Sequence, residues 1–269
     1  MSLELLHAPA TGGSTDRPPL LFVHGSNLAA WCWQEHFLPY FAAEGYDAYA
    51  LSLRGHGGSD GAEQLSSFTL ADYVDDVRDV LGRLPARPIL VGHSMGGAIG
   101  QLVLREHPET VAALVLLAAV PPTGLGADTT KLVVSHSADV ERMREFNLGR
   151  ADTFPIGLYL SNRLPEAERD AYAARLRPES DKAGYALTGR IVRARPVSGV
   201  PVLVLGGQTD RIVSPQSVRA TAKAYGTEPV LFAGMSHLMM LEPDWREVAT
   251  AVLGFLRSLP APIAARGRG

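Results

Sequence analysis

The sequence predicts an α/β fold: a mostly parallel central sheet flanked by helices. Three observations carry this expectation. Short apolar runs recur along the chain, and they are near-continuous rather than alternating, as in strands covered on both faces. Segments with helical spacing lie between these runs. The resulting order of strand, helix, strand calls for parallel pairing with right-handed crossovers.

The predicted strands are Leu20–Val23, Ala48–Leu51, Ile89–Val91, Val111–Leu117, Val202–Leu205 and Val230–Phe232, with an extra one near Leu3–His7. Thr69 followed by Asp72 has the pattern of a capping box. Leu70, Tyr73, Val74, Val77, Leu81 and Leu84 then fall on one helical face, which Pro85 ends. A helix is expected from the turn at Gly92–Gly96 to Glu106, ahead of Pro108. Trp245, Val248, Ala249, Val252 and Phe255 mark a last one between Asp244 and Leu256.

Residues 122–196 break the rhythm. They hold helix-like pieces, clearest at Glu166–Leu176, and no buried strand. A connection this long is not a plain loop. It is expected to be a helical cap over one end of the sheet, with 1–121 and 197–258 forming the core and 259–269 a flexible tail.

Composition narrows the function classes. The 269 residues are 46% hydrophobic and 20% charged, as in a globular protein, and the net charge is −3. No basic stripe marks a nucleic-acid binder. The longest apolar run, Val111–Val120, is about half of a membrane span. The N-terminal residues carry no signal-peptide pattern. The single cysteine, Cys32, makes neither an internal disulfide nor a cysteine metal site. A cytoplasmic protein, monomeric or homodimeric, without metal or organic cofactor and without nucleic-acid partner, is the expectation.

The chemistry concentrates at Gly92-His93-Ser94-Met95-Gly96, between a strand and a helix. A turn this tight forces its central residue into a strained conformation and leaves no room for bulk two positions either side. Ser94 is the candidate nucleophile. A serine hydroxyl needs a base. His237 follows the last predicted strand and so returns to the carboxyl edge of the sheet, where Ser94 stands. His24 and His56, in glycine turns, are expected to hold loops, and His93 to point away from the nucleophile. Asp210 follows Val202–Leu205 at the same edge and is the candidate acid, with Asp75, Asp76 and Asp128 as rivals. The backbone N–H groups of Met95 and Ser26 are the candidate oxyanion donors. Asn27, Trp31, Trp33, Leu238 and Met239 are candidate pocket residues.

These residues, with the turn Arg54-Gly55-His56-Gly57-Gly58-Ser59, resemble the α/β-hydrolase fold superfamily in its serine esterase and lipase-like branch. The likeness covers about residues 20–120 and 198–257. It implies a helical cap inserted after the sixth strand and hydrolysis of carboxylic esters of small, fairly apolar substrates. Haloalkane dehalogenases and epoxide hydrolases of this fold use an aspartate where this chain has Ser94. Hydroxynitrile lyases keep a lysine where it has Leu238. Lactonase, thioesterase, perhydrolase and carbon–carbon bond hydrolase activities share the triad and stay open. So does a ligand receptor with slow hydrolysis.

Overall fold

The computed structural model describes residues 1–13, 16–193, 195–197 and 199–260. The expected flexible tail lies outside them from residue 261 on. The elements follow the chain as β1 (Leu5–Ala8), β2 (Leu20–Val23), α1 (Trp31–Gln34), α2 (Phe37–Ala43) and β3 (Ala48–Leu51). Next come α3 (Leu70–Arg83), β4 (Ile89–His93), α4 (Met95–Glu106) and β5 (Ala113–Leu117). Four helices then form the insertion: α5 (Gly126–Ser135), α6 (Ser137–Asn147), α7 (Glu166–Ala173) and α8 (Asp181–Ala186). Last are β6 (Val202–Gly207), α9 (Pro215–Tyr225), β7 (Pro229–Phe232) and α10 (Trp245–Ser258).

Seven strands make one sheet in the order β1-β3-β2-β4-β5-β6-β7. Only the β1–β3 pair is antiparallel. Strand alternation sends Leu20 and Phe22 to one face and Leu21 and Val23 to the other. On the first face Phe22 packs with Phe37 and Phe41 of α2 and Val248 and Val252 of α10. On the second, Val77 of α3, Ile99 of α4 and Val218 of α9 cover the sheet. Both faces are therefore buried, which is why the strands read as continuous apolar runs.

The capping box forms as expected. Asp72 donates its N–H to the Thr69 hydroxyl at 3.3 Å, and the Asp72 carboxylate accepts the Thr69 N–H at 2.8 Å. Helix α3 stops at Leu84, whose extended backbone is what a following proline imposes.

The insertion follows β5, the fifth strand, one strand earlier than expected. Among the described residues ahead of Leu20 only β1 forms, so the sheet reaches the insertion with five strands built. Its apolar side chains make no separate core. Leu132, Phe146, Phe154, Leu158, Tyr159 and Tyr172 pack in one cluster with Phe22 and Val248. Ala183 and Leu187 join the cluster on the other face.

Register aligns the carboxyl ends of the strands. Val23 lies opposite Gly92, His93 opposite Leu117, Leu117 opposite Leu205, and Gly207 opposite Phe232. β3 and β4 lie on opposite sides of β2, so the winding direction switches there. In parallel sheets such a switch opens a crevice beyond the strand ends. The loops after β2 and β4 border it. Among the described residues no helix is long and apolar enough to cross a membrane.

Candidate active site

Ser94 joins β4 to α4 with φ 51° and ψ −116°. A non-glycine residue there costs on the order of 1–3 kcal/mol and needs surroundings that impose it. They are present. The Ser94 N–H donates to the Leu117 carbonyl at 3.2 Å, and the Ser94 carbonyl accepts the N–H groups of Gly97, Ala98 and Val120. The close packing explains the flanking glycines. A Cβ on Gly92 would stand 2.4 Å from the Gly96 carbonyl oxygen, and one on Gly96 would stand 2.3 Å from that of Val23.

The loop after β2 comes equally close. A Cβ on Gly25 would lie 2.7 Å from both Ser94 Cβ and His93 Nδ1. The Ser26 hydroxyl lies 3.6 Å from Met95 Sδ, tying this loop to the start of α4. Met95 is the first residue of that helix, so its N–H has no intrahelical partner. The two predicted oxyanion donors thus stand on adjoining loops.

Asp210 and His237 meet across the loops after β6 and β7. His237 Nδ1 lies 2.9 Å from Asp210 Oδ2, with both side chains buried. A carboxylate only accepts, so the proton sits on Nδ1 and Nε2 keeps its lone pair. Asp210 Oδ1 is held by the N–H groups of Ile212 and Val213 at 2.8 and 2.9 Å. The rival acids are engaged elsewhere: Asp76 with Arg54, Asp75 with Arg78, and Asp128 with Ser217.

His93 faces the ring and the backbone of His237. The ring centroids are 4.7 Å apart, and His93 Nε2 donates to the His237 carbonyl at 3.0 Å. It turns this way because the side face of the elbow packs on the His237 loop. Burial, reinforced by His237, holds its pKa well below the ordinary histidine range. The loop-holding histidines behave as expected. His24 donates from Nδ1 to the Gly25 carbonyl at 2.8 Å and accepts the Leu53 N–H on Nε2 at 3.0 Å. Burial, with a further push from His56, takes its pKa down to about 3.

A cavity of about 430 Å³ opens above Ser94. Ser26, Asn27, Ser94, Tyr159 and Glu179 form part of its wall, and Leu125, Leu132, Val140, Met143, Leu187 and Ile212 give it an apolar side. Of the five predicted pocket residues only Asn27 lines it. Trp33 is fully buried against Phe22 and Phe37, because α1 turns it toward the sheet. Leu238 and Met239 are likewise core residues. Trp31 stacks on Tyr172 beneath the Arg175 guanidinium.

Several residues here carried no sequence signal for the site. Tyr159 of the insertion lies against His237 and lines the cavity. Glu179, also from the insertion, is buried with its carboxylate 3.3 Å from His56 Nε2, an ion-pair contact without hydrogen-bond alignment. Burial alone would raise the Glu179 carboxyl, but His56, the Ser180 N–H and the Tyr73 hydroxyl together outweigh it and the pKa falls below the ordinary value. Burial alone would lower His56, yet Glu179 together with backbone hydrogen bonds to Arg54 and Leu53 outweighs that and leaves its pKa raised. Among the described residues no group of three acidic, histidine or cysteine side chains is placed to hold a metal ion.

A strained serine, free helix N-terminal donors and a carboxylate-oriented histidine thus gather at one sheet edge. The family model for the alpha/beta hydrolase family matches residues 20–251, and the chain belongs to that family. Among curated relatives, the pyrethroid hydrolase of Sphingobium wenxiniae is 36% identical over 101 residues, 38% of this chain and 35% of that protein. The non-heme chloroperoxidase of Streptomyces lividans is 36% identical over 119 residues, 44% of this chain and 42% of that one. These matches span well under half of either relative. A thermophilic esterase from Thermogutta terrifontis has the same fold, with TM-score 0.72 and 21% identity over 96% of this chain and 93% of that one.

Proposed function

We propose that this protein hydrolyses carboxylic esters of small, fairly apolar substrates through an acyl-enzyme on Ser94. The observation that carries the reading is the buried His237–Asp210 pair at 2.9 Å, facing the same sheet edge as the strained Ser94. The mainly apolar cavity wall supports an apolar acyl or alcohol group.

The Ser94 hydroxyl attacks the ester carbonyl carbon while His237 Nε2 takes its proton. The tetrahedral oxyanion accepts the N–H groups of Ser26 and Met95. Asp210 stabilises the imidazolium and keeps its orientation. The intermediate collapses, and the alcohol leaves with the proton from His237. Water then attacks the acyl group as His237 takes one of its protons, and the acid departs with Ser94 restored. A fluorophosphonate is expected to label Ser94 and to spare Ser94→Ala. A folded wild-type protein that resists labelling overturns the reading. A panel of p-nitrophenyl esters and lactones then defines the acyl group. The likeness to the chloroperoxidase favours a second reading, transfer of the acyl group to hydrogen peroxide instead of water. Adding peroxide to the same panel and assaying peracid separates the two.

A further inference from the structure

Asn27 is where the insertion grips the loop after β2. It has φ 65°, a region asparagine tolerates better than most residues, and it is 2% exposed. Its side-chain nitrogen donates to Asn147 Oδ1 at 2.6 Å and to the Arg177 carbonyl at 2.9 Å. Its side-chain oxygen accepts the Tyr159 hydroxyl at 3.2 Å. Its backbone carbonyl accepts the Arg177 N–H at 3.1 Å.

The partners fix both amide orientations. The Arg177 carbonyl can only accept, so Asn27 must turn its nitrogen there. Asn147 Oδ1 also accepts the Glu179 N–H at 3.2 Å, so it must be oxygen. Glu179 in turn accepts the Tyr73 hydroxyl at 2.9 Å and faces His56. A polar chain, half-buried at Asn147, therefore runs from α3 through the insertion to Asn27.

Ser26 lies between two anchors of different origin. The core fixes the preceding residues through the His24 ring, which bonds to the Gly25 carbonyl and the Leu53 N–H. The insertion fixes the following residue, Asn27. An oxyanion donor must be aimed to within about 0.5 Å, and such precision comes from the groups that hold it.

We infer that the insertion is a working part of the oxyanion hole: Asn147 and Tyr159, acting through Asn27, are positioning residues that aim the Ser26 N–H. Both side-chain N–H donors of Asn27 are spent on this clasp. The inference rests on the serine-hydrolase reading above.

The test compares Asn147→Leu, which removes the shared acceptor while keeping the side chain's branching, with Asn147→Asp, which keeps that oxygen. Each is assayed on a p-nitrophenyl ester the wild type accepts, and titrated with a trifluoromethyl ketone that forms an oxyanion on Ser94. Losing an oxyanion donor outright costs about 100- to 1,000-fold, so a misaimed one is expected to cost about tenfold or more in kcat. KM should stay within about twofold, ketone affinity should fall with kcat/KM, and Asn147→Asp should recover most of the loss. Unchanged kcat, a loss confined to KM, unchanged ketone affinity, or equal impairment in Asn147→Asp overturns the inference. If Asn147→Leu fails to fold, Tyr159→Phe carries the same comparison with one hydroxyl removed: kcat and ketone affinity falling together support the inference, and neither moving overturns it. A wild type that fluorophosphonate does not label defeats the serine-hydrolase reading itself. A labelled wild type with Asn147→Leu reacting at the same rate defeats only the positioning role.

Discussion

Tyr159 lays its ring against that of His237, with centroids 5.2 Å apart, and its carbonyl accepts the Leu238 N–H at 3.0 Å. One insertion residue thus braces the loop of the candidate base while its hydroxyl reaches Asn27 on the other side of the cavity. Tyr159→Phe keeps the ring contact and the backbone bond but leaves Asn27 Oδ1 without that donor. The expected cost is about 1–3 kcal/mol of stability, the usual penalty for a buried group left unpaired. Tyr159→Ala also removes the ring and is expected to cost about 3–5 kcal/mol. Urea unfolding of both variants measures the difference.

Asp210→Asn tests how His237 is set. The Asn oxygen would still accept the Ile212 and Val213 N–H groups, as Asp210 Oδ1 does now. Its NH2 would then face His237 Nδ1 and force the ring proton onto Nε2, the atom that must accept from Ser94. The expected result is a loss in kcat on the order of 10⁴-fold with the fold intact. Ester turnover and circular dichroism on one preparation check it.

The parts of the candidate site that are legible in the sequence are those whose geometry is local. Ser94 is announced by a strand, two glycines and a helix within a few residues, and Asp210 and His237 by their places after β6 and β7. Trp33 misled for a related reason. It follows the loop after β2, where a pocket residue is expected, but the single turn of α1 carries it into the sheet layer. Asn147, Tyr159 and Glu179 were invisible. Their roles arise from contacts across 120, 132 and 106 positions, to Asn27, Asn27 and Tyr73, and no periodicity marks such residues in advance.

The His56–Glu179 pair gives stability a pH window. Glu179 titrates below its ordinary 4.5, so its contribution is present above that pH and is lost as pH falls through the folded value. His56 titrates above its ordinary 6.5, so its contribution is full below that pH and is lost as pH rises through the folded value. The pair's contribution should therefore be greatest between pH 4.5 and 6.5. Glu179→Gln is expected to destabilise most in that interval and less on either side of it. Denaturant midpoints at several pH values show whether the difference between the two proteins follows this shape.

Gly254 lies exposed within α10, and a Cβ there would meet nothing within 4 Å. Alanine in place of a mid-helix glycine is favoured by about 0.5–1 kcal/mol, since it restricts the unfolded chain more. Gly254→Ala is expected to raise Tm by about 1–4 °C for a chain of this size, with substrate turnover unchanged. A calorimetric scan reads the shift directly.

The cavity wall sets a limit on the acyl or alcohol group, and two substitutions should move that limit in opposite directions. Leu132 stands on the apolar side of the cavity and is 7% exposed. Leu132→Ala extends the space, so the preferred p-nitrophenyl ester should lengthen by about one or two carbons, since each methylene in such a pocket is worth about 1–3 kcal/mol. Gly184 of α8 also lines the cavity, and a Cβ built there meets nothing within 4 Å. A leucine at 184 therefore projects into open space instead of colliding with backbone. Gly184→Leu is expected to shorten the preferred chain and leave acetate ester turnover close to the wild-type rate. Profiles of kcat/KM against chain length decide the matter: opposite shifts place the substrate in this cavity, and parallel or absent shifts place it elsewhere.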